Sequence, residues 1–413
     1  MLLYTVSDNE HKSLEQQVSF LQSNFGITIT KQSLDERFTA KCESFVKAVL
    51  VSVLEERLSE IYSEEFLPAF NRILIKDSTK FMTPSSLEDE YKSCGGDAHS
   101  RSKSSISIQY EYDLKSGRVT DLNITSGNRN DRTDSGASAD RVEKRDLILR
   151  DLGYFSTPVL KKYAVQEAYF LSRLDSSTNV YDTDLKKISF KKLYKSMKEE
   201  VSEEKEISVY LGKETKLPVR LILQRVPDQV YEQRIREKTK KSKGQGRGQL
   251  TEETKVRCRF NLFITNADVS ELSIKQVYPL YRLRWQIELN FKIWKSVFKI
   301  DSYREMKKYR YLVLLYLKLL LIIVNLGVFY GLQKDLCRGQ TKEIVMLSIN
   351  KCMKTLRTLF DKIFIVLRES SRKVKETEQY IRKALSRNHW LESKNKKKCF
   401  PELLEIIISL SEK

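Results

Sequence analysis

Residues 281–295 read YRLRWQIELNFKIWK and hold the most informative pattern of the chain. Apolar residues recur there at three- and four-residue spacings, which is typical of an amphipathic helix. A set of phenolic and charged side chains recurs as well, at offsets of 0, 3, 7, 11 and 14 from the first residue. Because two helical turns take about seven residues, this set is predicted to share one stripe of a continuous helix. Its members are Tyr281, Arg284, Glu288, Lys292 and Lys295.

This stripe combines one carboxylate with three cations and a phenol. A carboxylate can ligate a divalent cation, while neighbouring guanidinium and ammonium groups can bind phosphate oxygens. The simpler alternative is an ordinary amphipathic helix with ion pairs one turn apart, such as Glu288 with Lys292. The residues alone leave both interpretations open.

The chain before this helix alternates between strand and helix patterns. Short runs of β-branched and aromatic residues are bounded by polar or turn residues, and two alternating runs flank a short turn as in a hairpin. Strands that alternate with helices predict a mixed α/β sheet. The predicted strands lie within 71–79, 105–114, 118–127, 146–156, 168–174 and 258–266.

The pattern also predicts five regions along the chain. The sheet is assigned to 71–174 and 258–300, and a β-rich insertion with a charged stretch is assigned to 175–257. Helical periodicity dominates in 1–70 and again in 301–413. The first helical region predicts either a DNA-reading helix-turn-helix or a plain helical hairpin. The second is a candidate for dimerisation.

Charge favours a polyanionic partner. Lys and Arg number 74 against 55 Asp and Glu, which gives a net charge of +19. Positive charge binds phosphates with release of counterions, although a Lys-rich solvated surface would give the same count. Residues 238–247 concentrate this charge and predict either a DNA-facing loop or a solvated face. Their basic members are Lys238, Lys240, Lys241, Lys243 and Arg247.

Composition excludes several classes of protein. Only 14 Gly and 7 Pro rule out a collagen-like chain, and six Cys in 413 residues rule out a small disulfide scaffold. Residues 311–330 are apolar enough to imitate a membrane span, but Lys318 and Asn325 interrupt them, so a buried core helix is predicted. The N-terminus lacks the features of a secretory signal, so a cytoplasmic protein is expected.

The spacing Tyr281-x2-Arg284-x3-Glu288-x6-Lys295 resembles the signature of bacterial insertion-sequence DDE transposases of the YREK (insertion-sequence-four-like) family. The words FITNAD (263–268) and LYRLRWQIELNFKIWKS around it are also similar to that family. The resemblance covers about 71–300. It implies an α/β fold with an RNase H-like mixed-sheet catalytic core, interrupted by a β-rich insertion and flanked by helical regions.

The resemblance also implies an active site. Asp77 and Asp151, each expected at a strand end, resemble the two catalytic aspartates, and Glu288 is the third carboxylate. Together they imply a site for two Mg²⁺ or Mn²⁺ ions. Tyr281, Arg284, Lys292 and Lys295 are implied to contact DNA phosphates. The implied reaction is cut-and-paste transposition at terminal inverted repeats, carried out by a homodimer on double-stranded DNA.

Several alternatives accompany this interpretation. A catalytically silent DNA-binding relative and a two-metal nuclease without strand transfer would share much of the sequence. Asp97, Asp113, Asp121 and Asp146 compete for the aspartate positions, but their flanking residues do not match. Family members that form a DNA hairpin use a Trp near the insertion to stack on a flipped base, and Phe260 is the substitute suggested by position. Trp285 and Trp294 are expected in the core.

Overall fold

The fold is described from a computed structural model. It forms two compact units, each assembled from separate segments of the chain. The first unit comprises Met1–Glu64, Asp77–Arg129 and Trp285–Glu405, and the second comprises Glu65–Lys76, Asn130–Arg284 and Ile406–Lys413. Within these segments the structure describes residues 5–6, 12–55, 66–93, 103–244, 246, 248–337, 346–359, 371–388 and 400–410.

Helices dominate the described part of the first unit. A capping box at Ser13 begins the first helix, and Gly26, with φ at 65°, ends it. The long apolar helix α11 packs on α3. The helices are α1 (Leu14–Phe25), α2 (Lys31–Asp35), α3 (Ala40–Glu55), α10 (Gln286–Ser296), α11 (Lys308–Cys337), α12 (Ile349–Thr358), α13 (Ser371–Asn388) and the first part of α14 (Phe400–Ser409).

The second unit alternates strands and helices around one apolar core. Buried side chains from its strands and helices form a single cluster that includes Ile148, Phe170, Leu221 and Ile264. Its strands are β4 (Asp146–Arg150), β5 (Tyr169–Arg173), β6 (Val180–Tyr181), β7 (Glu204–Leu211), β8 (Leu217–Arg225) and β9 (Phe260–Thr265). Its helices are α4 (Asp131–Ser138), α5 (Thr157–Val165), α6 (Phe190–Glu199), α7 (Asp228–Gly244), α8 (Glu252–Arg257) and α9 (Ile274–Leu283).

The remaining strands are β1 (Arg72–Met82), β2 (Ser105–Asp113) and β3 (Val119–Ser126). Among the described residues, nine strands follow the order β3-β2-β1-β4-β5-β9-β8-β7-β6. Strands β1, β4 and β5 pair in parallel, whereas the β2–β3 hairpin and the run β5-β9-β8-β7-β6 pair antiparallel. The prediction of a mixed α/β sheet is therefore confirmed.

The apolar helix α11 is the only one in the described residues long and apolar enough to cross a membrane. However, 83% of its most apolar window is buried inside the protein, which is the behaviour predicted for a core helix. Lys318 is buried, and its Nζ donates to the carbonyl oxygen of Lys299 at 2.6 Å. Asn325 is buried too and donates to the carbonyl of Leu321 at 2.8 Å.

The insertion differs from its prediction. Within the described residues of 175–257, three helices accompany three strands, so the segment is not β-rich, and β8 pairs with β9 of the same sheet. The predicted basic loop is largely the helix α7. This helix has no buried residue, so it leaves no apolar periodicity in the sequence to reveal it. Arg247 lies outside the described residues.

Candidate active site

Asp77 lies within a strand instead of at its end. The strand β1 continues to Met82, although its pairing with β4 stops at Lys76 opposite Arg150. Asp77 and Asp151 each directly follow one of these last two partners. The Asp77 carboxylate is half-buried and accepts a hydrogen bond from the Ser78 amide at 2.8 Å. The expectation of a strand end was wrong because the polar residues after Asp77 do not interrupt the strand.

A buried cation precedes each of the two aspartates. Lys76 forms an ion pair of 2.6 Å with Asp134 of α4, and its side chain is fully buried. Arg150 is 5% exposed, and its Nη1 donates to the Ser135 and Tyr163 hydroxyls at 3.1 and 2.6 Å. Successive strand side chains point to opposite faces, so Asp77 points away from the face on which Lys76 meets α4. The sequence analysis did not predict a role for either cation. The pattern that could have revealed them is the cation directly before each aspartate, because neighbouring side chains of a strand point to opposite faces.

Asp151 begins a short 3-10 turn that spans Leu152–Tyr154. Its carboxylate is 48% exposed, and its Oδ1 lies 3.7 Å from Nη2 of Arg284. The Arg284 side chain is only 13% exposed and reaches the rim of the Tyr281 ring, with 5.9 Å between the guanidinium carbon and the ring centroid. The structure therefore brings together three of the seven predicted site residues in the second unit.

Tyr281 is buried in this group. Its ring centroid lies 5.2 Å from that of Phe263, and its hydroxyl makes a long hydrogen bond of 3.5 Å to the carbonyl oxygen of Arg150. Burial raises the pKa of Tyr281 to about 12, while the positive charge of Arg284 opposes the shift. The side chain therefore stays a neutral phenol at physiological pH, so it can donate a hydrogen bond.

The predicted continuous helix is interrupted. The helix α9 ends at Leu283 and α10 begins at Gln286. Around the break the amides of Arg284 and Glu288 bond three residues back, to Tyr281 and Trp285, each at 3.2 Å. The prediction that the set shares one stripe of a continuous helix was therefore wrong, because it assumed uninterrupted 3.6-residue turns. Pro279 lies inside α9.

The break changes the position of one tryptophan. Trp285 is 52% exposed, and its indole Nε1 donates to Oε2 of Glu288. It was expected in the core, and this was wrong because it occupies the turn between the two helices. Trp294 was correctly placed: it is 1% exposed and meets the rings of Tyr110 and Phe291 at centroid distances of 4.8 and 5.4 Å.

The two signature lysines differ in their surroundings. Lys292 is exposed on α10. Lys295 is half-exposed, and its Nζ donates to the carbonyl oxygen of Lys80 at 3.2 Å. Lys80 itself donates to the carbonyl of Arg129 at 3.0 Å. Lys295 of α10 thus contacts the backbone of β1 at Lys80, within the first unit.

The competing aspartates have structural partners. Asp146 is fully buried and receives two hydrogen bonds from the guanidinium of Arg72. Asp113 accepts hydrogen bonds from the turn that follows β2, and Asp121 accepts one from Asn123 at 2.6 Å. These bonds are typical of structural carboxylates. Asp97 lies outside the described residues.

Phe260 does not suit the role of a base-stacking residue. It is 2% exposed, belongs to the core of the second unit and meets the ring of Tyr194 at 5.8 Å. Its inferred role was wrong because position in the sequence does not reveal which face of a strand is covered.

No group of three or more His, Cys, Asp or Glu side chains in the described ranges is placed to hold a metal ion. Of the predicted ligands, Asp77 and Glu288 belong to the first unit and Asp151 to the second. The fit to a metal is therefore one of donor chemistry alone, because carboxylate oxygens are the ligands that Mg²⁺ and Mn²⁺ prefer.

Comparison with protein families gives a direct match. Residues 68–324 match the model of the family described as transposase DDE domain. The transposase for insertion sequence element IS231F of Bacillus thuringiensis subsp. israelensis is 32% identical over 343 residues, which cover 79% of this chain and 71% of that protein. The transposase for insertion sequence element IS1151 of Clostridium perfringens is 28% identical over 339 residues, with coverages of 78% and 70%.

Solved structures give a weaker similarity. A chain of the piggyBac transposase synaptic complex with hairpin DNA, determined by cryo-electron microscopy, has a TM-score of 0.44 and 11% identity, and the match covers 96% of this chain and 76% of that one. A similarity of this size does not establish a common fold.

Proposed function

The chain belongs to the transposase DDE domain family and is a DNA transposase of the insertion-sequence type, and we propose that it performs cut-and-paste transposition at the terminal inverted repeats of its own element. The observation that carries this proposal is the family match over residues 68–324, which contains all seven predicted site residues. The relatives that match are named as transposases of insertion sequence elements. The YREK spacing favours the insertion-sequence-four-like branch of these enzymes.

We propose Asp77, Asp151 and Glu288 as the carboxylates that hold the divalent metal on which DDE transposases depend, with two Mg²⁺ or Mn²⁺ ions per site. When bound, such ions activate the attacking oxygen and stabilise the leaving oxygen of a phosphodiester. The exposure of the Asp151 carboxylate supports this role, because a metal ligand must be reachable. An RNase H-like arrangement of β1, β4 and β5 is part of the same proposal.

The neighbouring cations are proposed to position the DNA. Arg284 is held beside Asp151 and can present two N–H groups to one phosphate, whereas Lys292 and Lys295 neutralise charge as single ammonium groups. Tyr281 is proposed to contact phosphate through its hydroxyl and not to attack it, since burial keeps the phenol protonated. Two element ends must be cut together, so a homodimeric synaptic complex is proposed. Its place of action is the bacterial cytoplasm, where the element resides.

The test is cleavage and joining of a supercoiled plasmid that carries the native element ends, with Mg²⁺ or Mn²⁺. We expect excision and joined products from the natural protein, and a loss of at least about a thousandfold in Asp77→Asn, Asp151→Asn and Glu288→Gln. The matched control is Glu214→Gln, which removes an exposed carboxylate in the turn after β7 and should leave the rate unchanged. Full activity in any of the three variants refutes that residue's role.

Two further outcomes separate the alternatives. Cleavage without joined product would identify a nuclease, and end binding without cleavage would identify a silent DNA-binding relative. Metal binding is measured apart from activity, by titration of Mn²⁺ followed by electron paramagnetic resonance. Glu288→Gln should weaken Mn²⁺ binding while Glu214→Gln should not, and equal binding in both would remove Glu288 from the metal site.

A further inference from the structure

The helix α7 (Asp228–Gly244) is unusual because none of its 17 residues is buried. A helix that is polar all round gains little from packing, so it needs ion pairs or a partner. Its own support is modest: Arg236 pairs with Glu232 at 3.4 Å, and Gln233 donates to Glu237 at 2.8 Å. Exposed pairs of this kind contribute little to stability.

Hydrogen bonds and a ring contact hold the first two turns of α7 against the rest of the second unit. Nη1 of Arg234 donates to the carbonyl oxygens of Cys258 and Phe260, at 3.3 and 2.8 Å, and its Nη2 donates to Oδ1 of Asn261 at 2.6 Å. The guanidinium of Arg259 stacks 3.5 Å from the ring centroid of Tyr231. These contacts fix the direction of the helix and leave its last turns exposed to solvent.

The two faces of α7 differ. Half-buried positions occur at Tyr231, Ile235, Thr239 and Ser242, and their spacings of four, four and three residues define one inner face. On an exposed side of the helix next to this face, Arg236, Lys240 and Lys243 follow one another at four and three residues. We call these three residues the outer stripe. A rise of about 1.5 Å per residue places its ends roughly 10 Å apart.

Arg236 of this stripe pairs with the exposed Glu232, so the charge of the stripe is partly neutralised within the protein. In the described part of the chain, Lys240 and Lys243 have no ion-pair partner, and neither do the neighbouring Lys238 and Lys241. The negative end of the helix dipole accommodates cations in the last turn, so the helix tolerates this concentration of charge. The ammonium groups nevertheless remain exposed and available to a polyanion.

We propose that the outer stripe of α7 binds the phosphate backbone of duplex DNA, independently of base sequence. This rests on the proposed function, which supplies DNA as the substrate. Lysine ammonium groups act as point charges on phosphates and do not read bases. The stripe holds no aromatic residue, and Tyr231 lies on the inner face beneath Arg259, so stacking on the bases of a single strand is not favoured.

The test compares two triple variants of the full-length protein. The first is Arg236→Gln, Lys240→Gln and Lys243→Gln. The control removes the same charge from three scattered, exposed lysines of the second unit, as Lys161→Gln, Lys213→Gln and Lys275→Gln. Binding to a fluorescent duplex is measured by anisotropy without metal, between 50 and 300 mM salt, so that cleavage does not enter. Circular dichroism and thermal melting verify that each variant is folded.

The stripe variant should bind about tenfold or more weakly at 0.1 M salt, and the slope of log affinity against log salt should fall by about 2 to 3, since each lost phosphate contact removes about 0.9. The loss should be equal for element-end and unrelated duplexes. An unchanged affinity and slope, or an equal loss in the control, overturns the inference. Failure of the proposed function would be seen separately. If the protein binds duplex DNA through this stripe but never cleaves it, the inference stands and the proposed transposition is wrong.

Discussion

The signature segment 281–295 and the apolar segment 311–330 were both predicted as continuous helices, and only the apolar segment is one, as part of α11. The helix α11 runs unbroken for 30 residues, even though it contains Lys318 and Asn325. The signature segment is divided into α9 and α10 at Arg284 and Trp285. Both segments carry cations among apolar residues, so composition does not explain the difference.

The difference lies in how each segment satisfies its polar groups. In α11 two buried polar side chains donate hydrogen bonds to carbonyl oxygens, Lys318 to that of Lys299 and Asn325 to that of Leu321. The helix continues past both residues without a break. In the signature segment the polar side chains meet partners around a tightened turn: Arg284 faces Asp151, and Trp285 donates to Glu288. A helix that is buried along its length can therefore be predicted from its apolar sequence. A segment that presents polar groups to partners departs from regular helix geometry, and its sequence does not show where.

The largest effect is expected at Arg284, on the signature side of the comparison. Arg284→Ala removes the guanidinium held 3.7 Å from the Asp151 carboxylate, and the rate of strand cleavage should fall about a hundredfold to a thousandfold. Arg284→Lys keeps the charge but loses the planar fork, so it should retain about a tenth of the activity. Single-turnover cleavage of an element-end duplex measures both.

The control for Arg284 is Arg282→Ala, a half-exposed arginine two residues earlier, which should change the rate less than about threefold. If Arg284→Ala and Arg282→Ala behave alike, the contact between Arg284 and Asp151 has no part in the reaction.

The next effect tests α11 through the pH dependence of stability. Burial lowers the pKa of Lys318 to about 8, and the charge of Arg357 adds to the shift while Asp301 opposes it. The unfolded chain holds this proton up to about pH 10.5, so stability rises with pH between about 8 and 10.5. Over that window the free energy of unfolding of the natural protein should rise by about 3 kcal/mol relative to Lys318→Met.

Urea unfolding at a series of pH values measures this difference. Lys318→Gln is the matched variant, because its amide can still donate to the Lys299 carbonyl but carries no charge. It should show the same pH dependence as Lys318→Met, with a constant offset. If the free energy of unfolding of the natural protein changes with pH in the same way as that of both variants, the pKa of Lys318 is not lowered by burial and this prediction is wrong.

The same contrast explains what the sequence predicts. Strands β2, β3, β5 and β9 follow β-branched and aromatic runs and lie where those runs predicted them. Helix α7 escaped prediction because an unburied helix needs no apolar period. The partners of Lys76 and Arg150 were not predicted, because the burial of a cation depends on residues elsewhere in the chain. Asp134, for example, lies 58 positions after Lys76. The signature predicted Tyr281, Arg284, Glu288 and Lys295 as candidate site residues, but it did not predict the break that positions Trp285.

The smallest effect is expected at Trp285, on the turn that breaks the signature segment. Trp285→Phe keeps an aromatic ring and removes the N–H that donates to Glu288. Because the indole is half-exposed, water can replace the lost bond, but Glu288 is no longer held by the indole, so the cleavage rate should fall about fivefold. Stability should change by less than about 0.5 kcal/mol, as for other exposed substitutions. Single-turnover cleavage and urea unfolding on the same samples separate the two quantities.

Trp294→Phe, within α10, provides the opposite case. Trp294 is packed against Tyr110 and Phe291, so its truncation leaves a void and should lower the free energy of unfolding by about 1 kcal/mol or more. Its Nε1 has no hydrogen-bond partner in the described structure, so the loss of the N–H itself carries no penalty. Trp285→Phe should therefore lower the cleavage rate and leave stability nearly unchanged, whereas Trp294→Phe should lower stability. A loss of stability without a loss of rate in Trp285→Phe would mean that this tryptophan serves the fold and leaves Glu288 unaffected.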